Sequence, residues 1–228
     1  MPACPRLGVI LDVDGTLVDS NDAHAEAWSA ALKKNGYDIP PSAVRPLIGM
    51  GGDKILPLLI GVEADSISGQ LVSDERQAVF LRNHLPLLHP THGARHLVQL
   101  LLERSHPLAI ASSASSQEIM GLLRVAGVAD LVPESAIVTK DETGRSKPDP
   151  DAIAVALERL GCPAEAVVMI GDTPYDIEAA ARIGIRTIAL RCGDFSAQDL
   201  ANALALYDDP QNLVDQYELS PLAQSGQG

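Results

Sequence analysis

The chain has 228 residues, with 17 Lys+Arg against 30 Asp+Glu and a formal net charge of -13. That balance excludes a nucleic-acid binder, which needs a basic footprint, but not a small anionic ligand held through a cation and a lysine. Hydrophobic residues make up 46% and aromatics only 3%, so the core has to be built from Leu, Ile, Val and Ala.

Cys4, Cys162 and Cys192 are scattered and suggest neither a metal-binding pair nor a disulfide framework. The opening MPACPRLG has no charged head followed by a long apolar stretch, and no apolar run is long enough to span a bilayer. The expectation is a protein of the reducing cytoplasm, without membrane contact. The polar tail QSGQG is expected to fray.

In chain order, the first element is an apolar strand within LGVILDVDGTLVDSN, Leu7 to Asn21, which runs into Asp12 and Asp14 and turns on Gly15-Thr16. Residues 18–90 then read as helix broken by Pro and Gly. Asn21 or Asp22 is placed to cap a helix carrying Trp28, Ala31 and Leu32 on one face and ended by Gly36. A Gly49-Met50-Gly51-Gly52 loop follows. Ile67, Leu71, Ala78 and Arg82 then keep helical spacing in a charged segment. HPTHG, His89 to Gly93, breaks the chain again.

From there strands and helices alternate. HGARHLVQLLLERS is an amphipathic helix, PLAIASS a strand, SSQEIMGLLRVAG a helix and AIVT a strand. DPDAIAVALERLG is a helix with Pro150 at its start and Gly161 past its end. AVVMIGD is a strand, TPYDIEAAARIG a helix opened by Pro174, and RTIAL a strand. Continuous apolar strands between amphipathic helices predict a parallel sheet covered on both faces. The fold class is therefore α/β, a doubly wound, Rossmann-like core at 1–17 and 91–228, with a helical insert at 18–90.

Residues two apart in a strand point to the same side, so Asp12 and Asp14 project together where the strand ends. Ligands bind at the carboxyl ends of strands in such sheets. Three further segments end at the same rim: Ser112-Ser113 after PLAIA, Lys147 in GRSKPDP, and Asp172 after AVVMIG with Asp176 four residues on. Clustered carboxylates repel and call for a cation, and all-oxygen ligands favour Mg²⁺.

DVDGT, a strand-ending Ser, an isolated Lys and GDTPYD, in that order and over nearly the whole chain, resemble the motifs of the haloacid dehalogenase superfamily. The insert resembles that family's helical cap, and DGTLVDS with AHAEAW is similar to its phosphatases and phosphomutases of small sugar or carboxylate phosphates. The resemblance implies that Asp12 is a nucleophile forming an aspartyl-phosphate and that Asp14 is the general acid and base. It implies that Asp12, Asp172 and the backbone carbonyl of Asp14 hold Mg²⁺, with Asp176 either behind them or serving only its helix start. Ser112, the Ser113 backbone N–H and Lys147 would bind the phosphoryl group, Lys147 also holding Asp12. The partner would be a small phosphorylated metabolite, and the protein a monomer whose cap moves on hinges at Val18–Asn21 and His89–Gly93. The Gly49–Gly52 loop is the candidate for the surface that faces the substrate, the alternative being an ordinary turn between helices.

Three rivals are weighed. A phosphomutase of the β-phosphoglucomutase type carries an arginine in the cap where this chain reads IGMGGDK, leaving Lys54 or Arg45 to substitute. A dehalogenase lacks the second motif aspartate, so Asp14 argues against it. A non-catalytic binding protein would have lost an aspartate or the lysine. His92 and His96 lack a third ligand and read as a solvated helix face. His24 and Trp28 share a face and read either as packing in the insert, the favoured reading, or as substrate contacts.

Overall fold

The computed structural model describes residues 4 and 6–224; of the tail QSGQG, all but Gln224 lies outside them. Strand β1 (Gly8–Leu11) leads into an all-helical segment: α1 (Asn21–Lys34), α2 (Pro41–Val44), α3 (Gly52–Ile60) and α4 (Ile67–Val79). The alternating part follows as α5 (Ala94–Glu103), β2 (Leu108–Ala111), α6 (Ser116–Val125), β3 (Ile137–Val138), α7 (Asp151–Leu160) and β4 (Val167–Gly171). It closes with α8 (Pro174–Ala181), β5 (Arg186–Leu190), β6 (Ala205–Tyr207), α9 (Pro210–Asp215) and α10 (Pro221–Gln224). The strands form one parallel sheet in the order β3-β2-β1-β4-β5-β6. This is the doubly wound order, whose reversal point lies beside the first strand.

Strand alternation sorts the core into two layers. Val9, Leu11, Ile110, Val168 and Ile170 face one side with Leu97 and Leu122. Ile10, Ala109, Met169 and Val167 face the other with Ile153 and Ala156. A third cluster, built on Trp28, Leu32, Ile55, Leu56 and Val72, lies wholly in the helical segment. Phe80 and Ala27 of that segment join the first layer instead. The two chain crossings between segment and sheet run side by side: Val18 bridges Pro90, and Asp19 N–H donates to His89 O at 3.1 Å.

Three expectations need correction, and one strand was not foreseen. Strand β6 has only three residues, two of them half-buried, too short for a readable period. Helix α4 forms, but Ile67 and Leu71 are exposed; its inward face is Gly69, Val72 and Arg76, packed against α1. Neither Asn21 nor Asp22 caps α1; the cap position is Ser20, without a side-chain cap bond. Both Ser20 and Asn21 bond to acidic side chains instead. Finally, Cys4 and Cys162 form a disulfide with Cα atoms 5.7 Å apart and a sequence separation of 158. Gly8 pairs with Val167, which brings the chain before β1 beside the chain before β4. The expectation of unpaired thiols loses its support, and with it that argument for a reducing compartment. Among the described residues no helix is long and apolar enough to cross a membrane.

Candidate active site

Asp12 follows β1 directly, its N–H donating to Ile170 O of β4 at 2.9 Å. Its carboxylate Oδ1 accepts from Lys147 Nζ at 2.5 Å. The same ammonium lies 2.6 Å from Asp176 Oδ1. All three side chains are buried. Burial alone would depress the ammonium, but Asp12 and Asp176 more than reverse it and keep Lys147 protonated. Burial drives the Asp12 carboxyl well above its ordinary range; Lys147 works against this, while Asp176, Asp172 and Asp14 add to it. Asp176 is both a helix-start carboxylate and part of the cluster: its Oδ2 accepts from Thr173 Oγ1 at 2.7 Å and Thr173 N–H at 3.1 Å, closing a capping box on α8.

Asp172 directly follows β4 and is fully buried. Thr16 Oγ1 donates to its Oδ1 at 2.8 Å and Asn21 Nδ2 to its Oδ2 at 2.9 Å. Burial, then Asp176, push this carboxyl up to about 7, against the pull of Asn21 and Thr16. Gly15 and Gly193 press against it: a Cβ on either would lie 2.2 or 1.8 Å from Asp172 Oδ2.

Asp12, Asp172 and Asp176 each bring an oxygen within 4.8 Å of the others. Asp14 does not join them through its carboxylate. Its Oδ1 accepts from Ser20 Oγ at 2.6 Å and pairs with His24 Nε2 at 2.8 Å. The His24 ring stacks on Phe80 with centroids 4.0 Å apart. Burial raises the Asp14 carboxyl, but His24, Ser20 and Arg76 outweigh it and hold it below its ordinary value. The cluster therefore holds several buried carboxylates against one ammonium, and it offers only oxygen donors. Asn21 Oδ1 beside it is buried with no hydrogen-bond partner among the described residues. Excess negative charge, oxygen donors and an unfilled acceptor together fit a hard divalent cation.

A cavity opens over Asp12 and Asp14, walled by His24, Trp28, the Gly49–Gly52 loop, Arg76 and Ser113. The loop docks on the segment carrying Lys147: Gly51 N–H donates to Ser146 Oγ at 2.8 Å, and Lys54 Nζ to Asp149 Oδ2 at 2.6 Å. Ser113 Oγ donates to Gly49 O at 3.2 Å, whereas Ser112 is buried and accepts from Ala114 N–H at 3.0 Å. His24 and Trp28 thus both pack and line the cavity. Arg45 and Lys54 are committed elsewhere, Arg45 to Asp22 and Gly193 O. His92 and His96 bond Asp209 and Gln211.

Arg76 and Glu118 escaped the sequence reading. Arg76 Nη1 pairs with Glu118, both buried, and its Cζ sits 5.1 Å from the Trp28 ring centroid. One signal was available: Ser115 followed by Glu118 is a capping-box spacing, and the box is formed.

A doubly wound parallel sheet, an inserted helical segment and acidic side chains gathered at the carboxyl ends of β1 and β4 describe a class of hydrolase, and the comparison with known families agrees. The chain belongs to the haloacid dehalogenase-like hydrolases, whose family model matches residues 9–190. The phosphoglycolate phosphatase of Rhodospirillum rubrum is 28% identical over 221 residues, covering 91% of this chain and 89% of that one. That of Aquifex aeolicus is 32% identical over 183 residues, covering 78% and 82%. The crystal structure of a hydrolase from Pseudomonas syringae aligns with a TM-score of 0.86 at 26% identity, covering 94% of this chain and 99% of that one.

Proposed function

We propose that this hydrolase is a Mg²⁺-dependent phosphatase of small phosphorylated metabolites, sugar phosphates or phosphocarboxylates, acting through an aspartyl-phosphate on Asp12. The observation that carries the proposal is Lys147, buried between Asp12 and Asp176 beside Asp172. Residues 1–17 and 91–228 serve as the catalytic domain and 18–90 as a cap over it, with all site residues supplied by one chain, so that a monomer suffices.

With Oδ1 held by Lys147, Asp12 presents its other oxygen to phosphorus. That oxygen forms the new P–O bond as the ester P–O bond breaks. Asp14 protonates the departing alkoxide, with His24 Nε2 at 2.8 Å positioning its carboxyl. Water then attacks the acyl phosphate, gives its proton to Asp14 and releases orthophosphate and the Asp12 carboxylate. Mg²⁺, held by Asp12, Asp172 and the Asp14 backbone carbonyl, would neutralise the phosphoryl oxygens and let the ester approach a carboxylate of like charge. Lys147, the Ser112 hydroxyl and the Ser113 N–H stabilise the transferring group, Ser112 Oγ also accepting from Ala114 N–H.

Arg76 and His24 on the cavity wall suit a substrate with a polar or anionic group near its ester. The test is orthophosphate release from a panel of phosphomonoesters, 2-phosphoglycolate and hexose phosphates among them, with Mg²⁺ and with EDTA. Turnover that needs Mg²⁺ supports the reading. Turnover unaffected by metal removal, or none across the panel, refutes it. Conversion of glucose 1-phosphate to glucose 6-phosphate without free phosphate would instead establish a mutase.

A further inference from the structure

Asn21 occupies the first position of α1, one residue past the cap position Ser20. Here it turns away from the helix. Its Nδ2 donates to Asp172 Oδ2 at 2.9 Å and to Gly193 O at 3.3 Å, and only 2% of the residue is exposed. Two acceptors on one atom identify it as the nitrogen of the amide. The remaining amide atom, Oδ1, is buried and accepts no hydrogen bond among the described residues. A buried acceptor without a donor is costly and requires an explanation. Its place, on the residue that grips Asp172, supplies one.

We infer that Asn21 is a positioning residue of the cation site, contributed by the inserted segment: Nδ2–H fixes Asp172, and Oδ1 accepts from a water of the hydrated cation. The inference rests on the Mg²⁺ dependence proposed above. Mg²⁺ keeps several waters when protein-bound. Water on a cation donates and does not accept, so an orphan acceptor beside the acidic cluster complements it. Thr16 Oγ1 holds the other Asp172 oxygen, so the carboxylate is gripped from both sides. The Gly193 carbonyl that shares Asn21 Nδ2 also accepts from Arg45 Nη2 at 2.6 Å. The loop backing Asp172 is thereby tied to the inserted segment twice. An aspartate at position 21 would lack the donor, and a leucine would lack both functions. Outer partners of this kind change metal affinity about 10–100-fold when removed.

The test titrates Mg²⁺ into EDTA-stripped protein by calorimetry, for wild type, Asp172→Asn, Asn21→Ala and Asn21→Leu. It also records the Tm of each protein with and without Mg²⁺. Wild type is expected to bind one Mg²⁺ and Asp172→Asn to lose it. Both Asn21 variants are expected to bind about 10–100-fold more weakly, with a correspondingly smaller Mg²⁺-induced rise in Tm. A role confined to the start of α1 would lower the Tm of the stripped protein and leave that rise intact. Asn21→Ala adds no bulk and decides the matter if Asn21→Leu does not fold. Mg²⁺ affinity within twofold of wild type in folded Asn21→Ala overturns this inference alone. Failure of wild type to bind Mg²⁺ overturns the functional proposal and this inference with it.

Discussion

Arg76 of α4 and Glu118 of α6 form an ion pair that is buried on both sides, one partner in the inserted segment and the other in the sheet domain. Ser115 N–H and Oγ also donate to the Glu118 carboxylate, while Arg76 Nε is buried without a hydrogen-bond partner among the described residues. Breaking a buried pair from one side leaves an uncompensated charge, which costs about 3–5 kcal/mol. Glu118→Gln is expected to lower urea-unfolding stability by that order and to increase hydrogen exchange across α4. Burial raises the Glu118 carboxyl, but Arg76, His24 and Ser115 outweigh it and hold it below its ordinary value. The pair's contribution is therefore complete above about pH 4.3, the ordinary glutamate value, and drains away as pH falls through the lower folded value. Wild type should lose stability on acidification more steeply than Glu118→Gln; parallel curves would contradict this.

Removing the nucleophile tests the reaction directly. In Asp12→Asn, Lys147 keeps Asp176 as a partner, so the fold is expected to survive. Orthophosphate release should drop by on the order of 10⁴-fold or more, since only binding and electrostatics remain. Acid-quenched wild type, mixed with a labelled substrate, should carry phosphate on the peptide containing Asp12, and the variant should not.

The two glycines against Asp172 predict an unusual split between stability and metal binding. A Cβ at position 193 would lie 1.8 Å from Asp172 Oδ2 and 2.5 Å from its Cγ. Gly193→Ala has to displace the carboxylate or the loop. Local overpacking costs about 1–3 kcal/mol, which a domain of this size survives, yet Mg²⁺ affinity and turnover should fall together. An Ala variant that binds Mg²⁺ like wild type would show that the loop yields instead.

The strands and the acidic rim were legible because each strand is a continuous apolar run ending in a chemical residue: LGVIL before Asp12, AVVMIG before Asp172. Lys147 was legible from motif order. What stayed hidden depends on how elements lie on one another. Arg76 and Glu118 sit on helices 42 residues apart, and nothing local says that they meet. On α4 the conspicuous Ile67 and Leu71 face outward, while the buried stripe includes glycine and arginine. Asn21 looked like a cap because Asn at a helix start ordinarily is one. Strand β6 offered three residues between loops.

The cysteine correction has its own measurement. With Cys4 and Cys162 joined, protein denatured without reductant should present one thiol to a thiol reagent, and three after reduction. Cys192, the free cysteine, is half-buried with its Sγ 3.2 Å from Gly15 O. Burial, with Asp172 and Asp209, raises its thiol far above the ordinary value, so labelling before denaturation should be slow. Three thiols without reductant would show the bond to be absent.

His24 should set the pH range over which Asp14 works. Its Nε2 lies 2.8 Å from Asp14 Oδ1, and after burial, which acts the other way, it is the strongest influence on that carboxyl. Replacing it by Leu keeps an apolar body against Phe80 and removes the hydrogen-bonding and electrostatic partner of Asp14. Burial then dominates, and the Asp14 carboxyl rises. As a base accepting water's proton, Asp14 must be ionised, so the acid limb of kcat against pH moves to higher pH. As an acid protonating the leaving group, it must carry a proton, so a basic limb set by the same carboxyl moves up as well. Turnover at neutral pH should fall, by at most the ~10²–10⁴-fold that a positioned general acid and base contributes. A His24→Leu profile that loses height but does not move along the pH axis would assign His24 to packing against Phe80 and free Asp14 from its control.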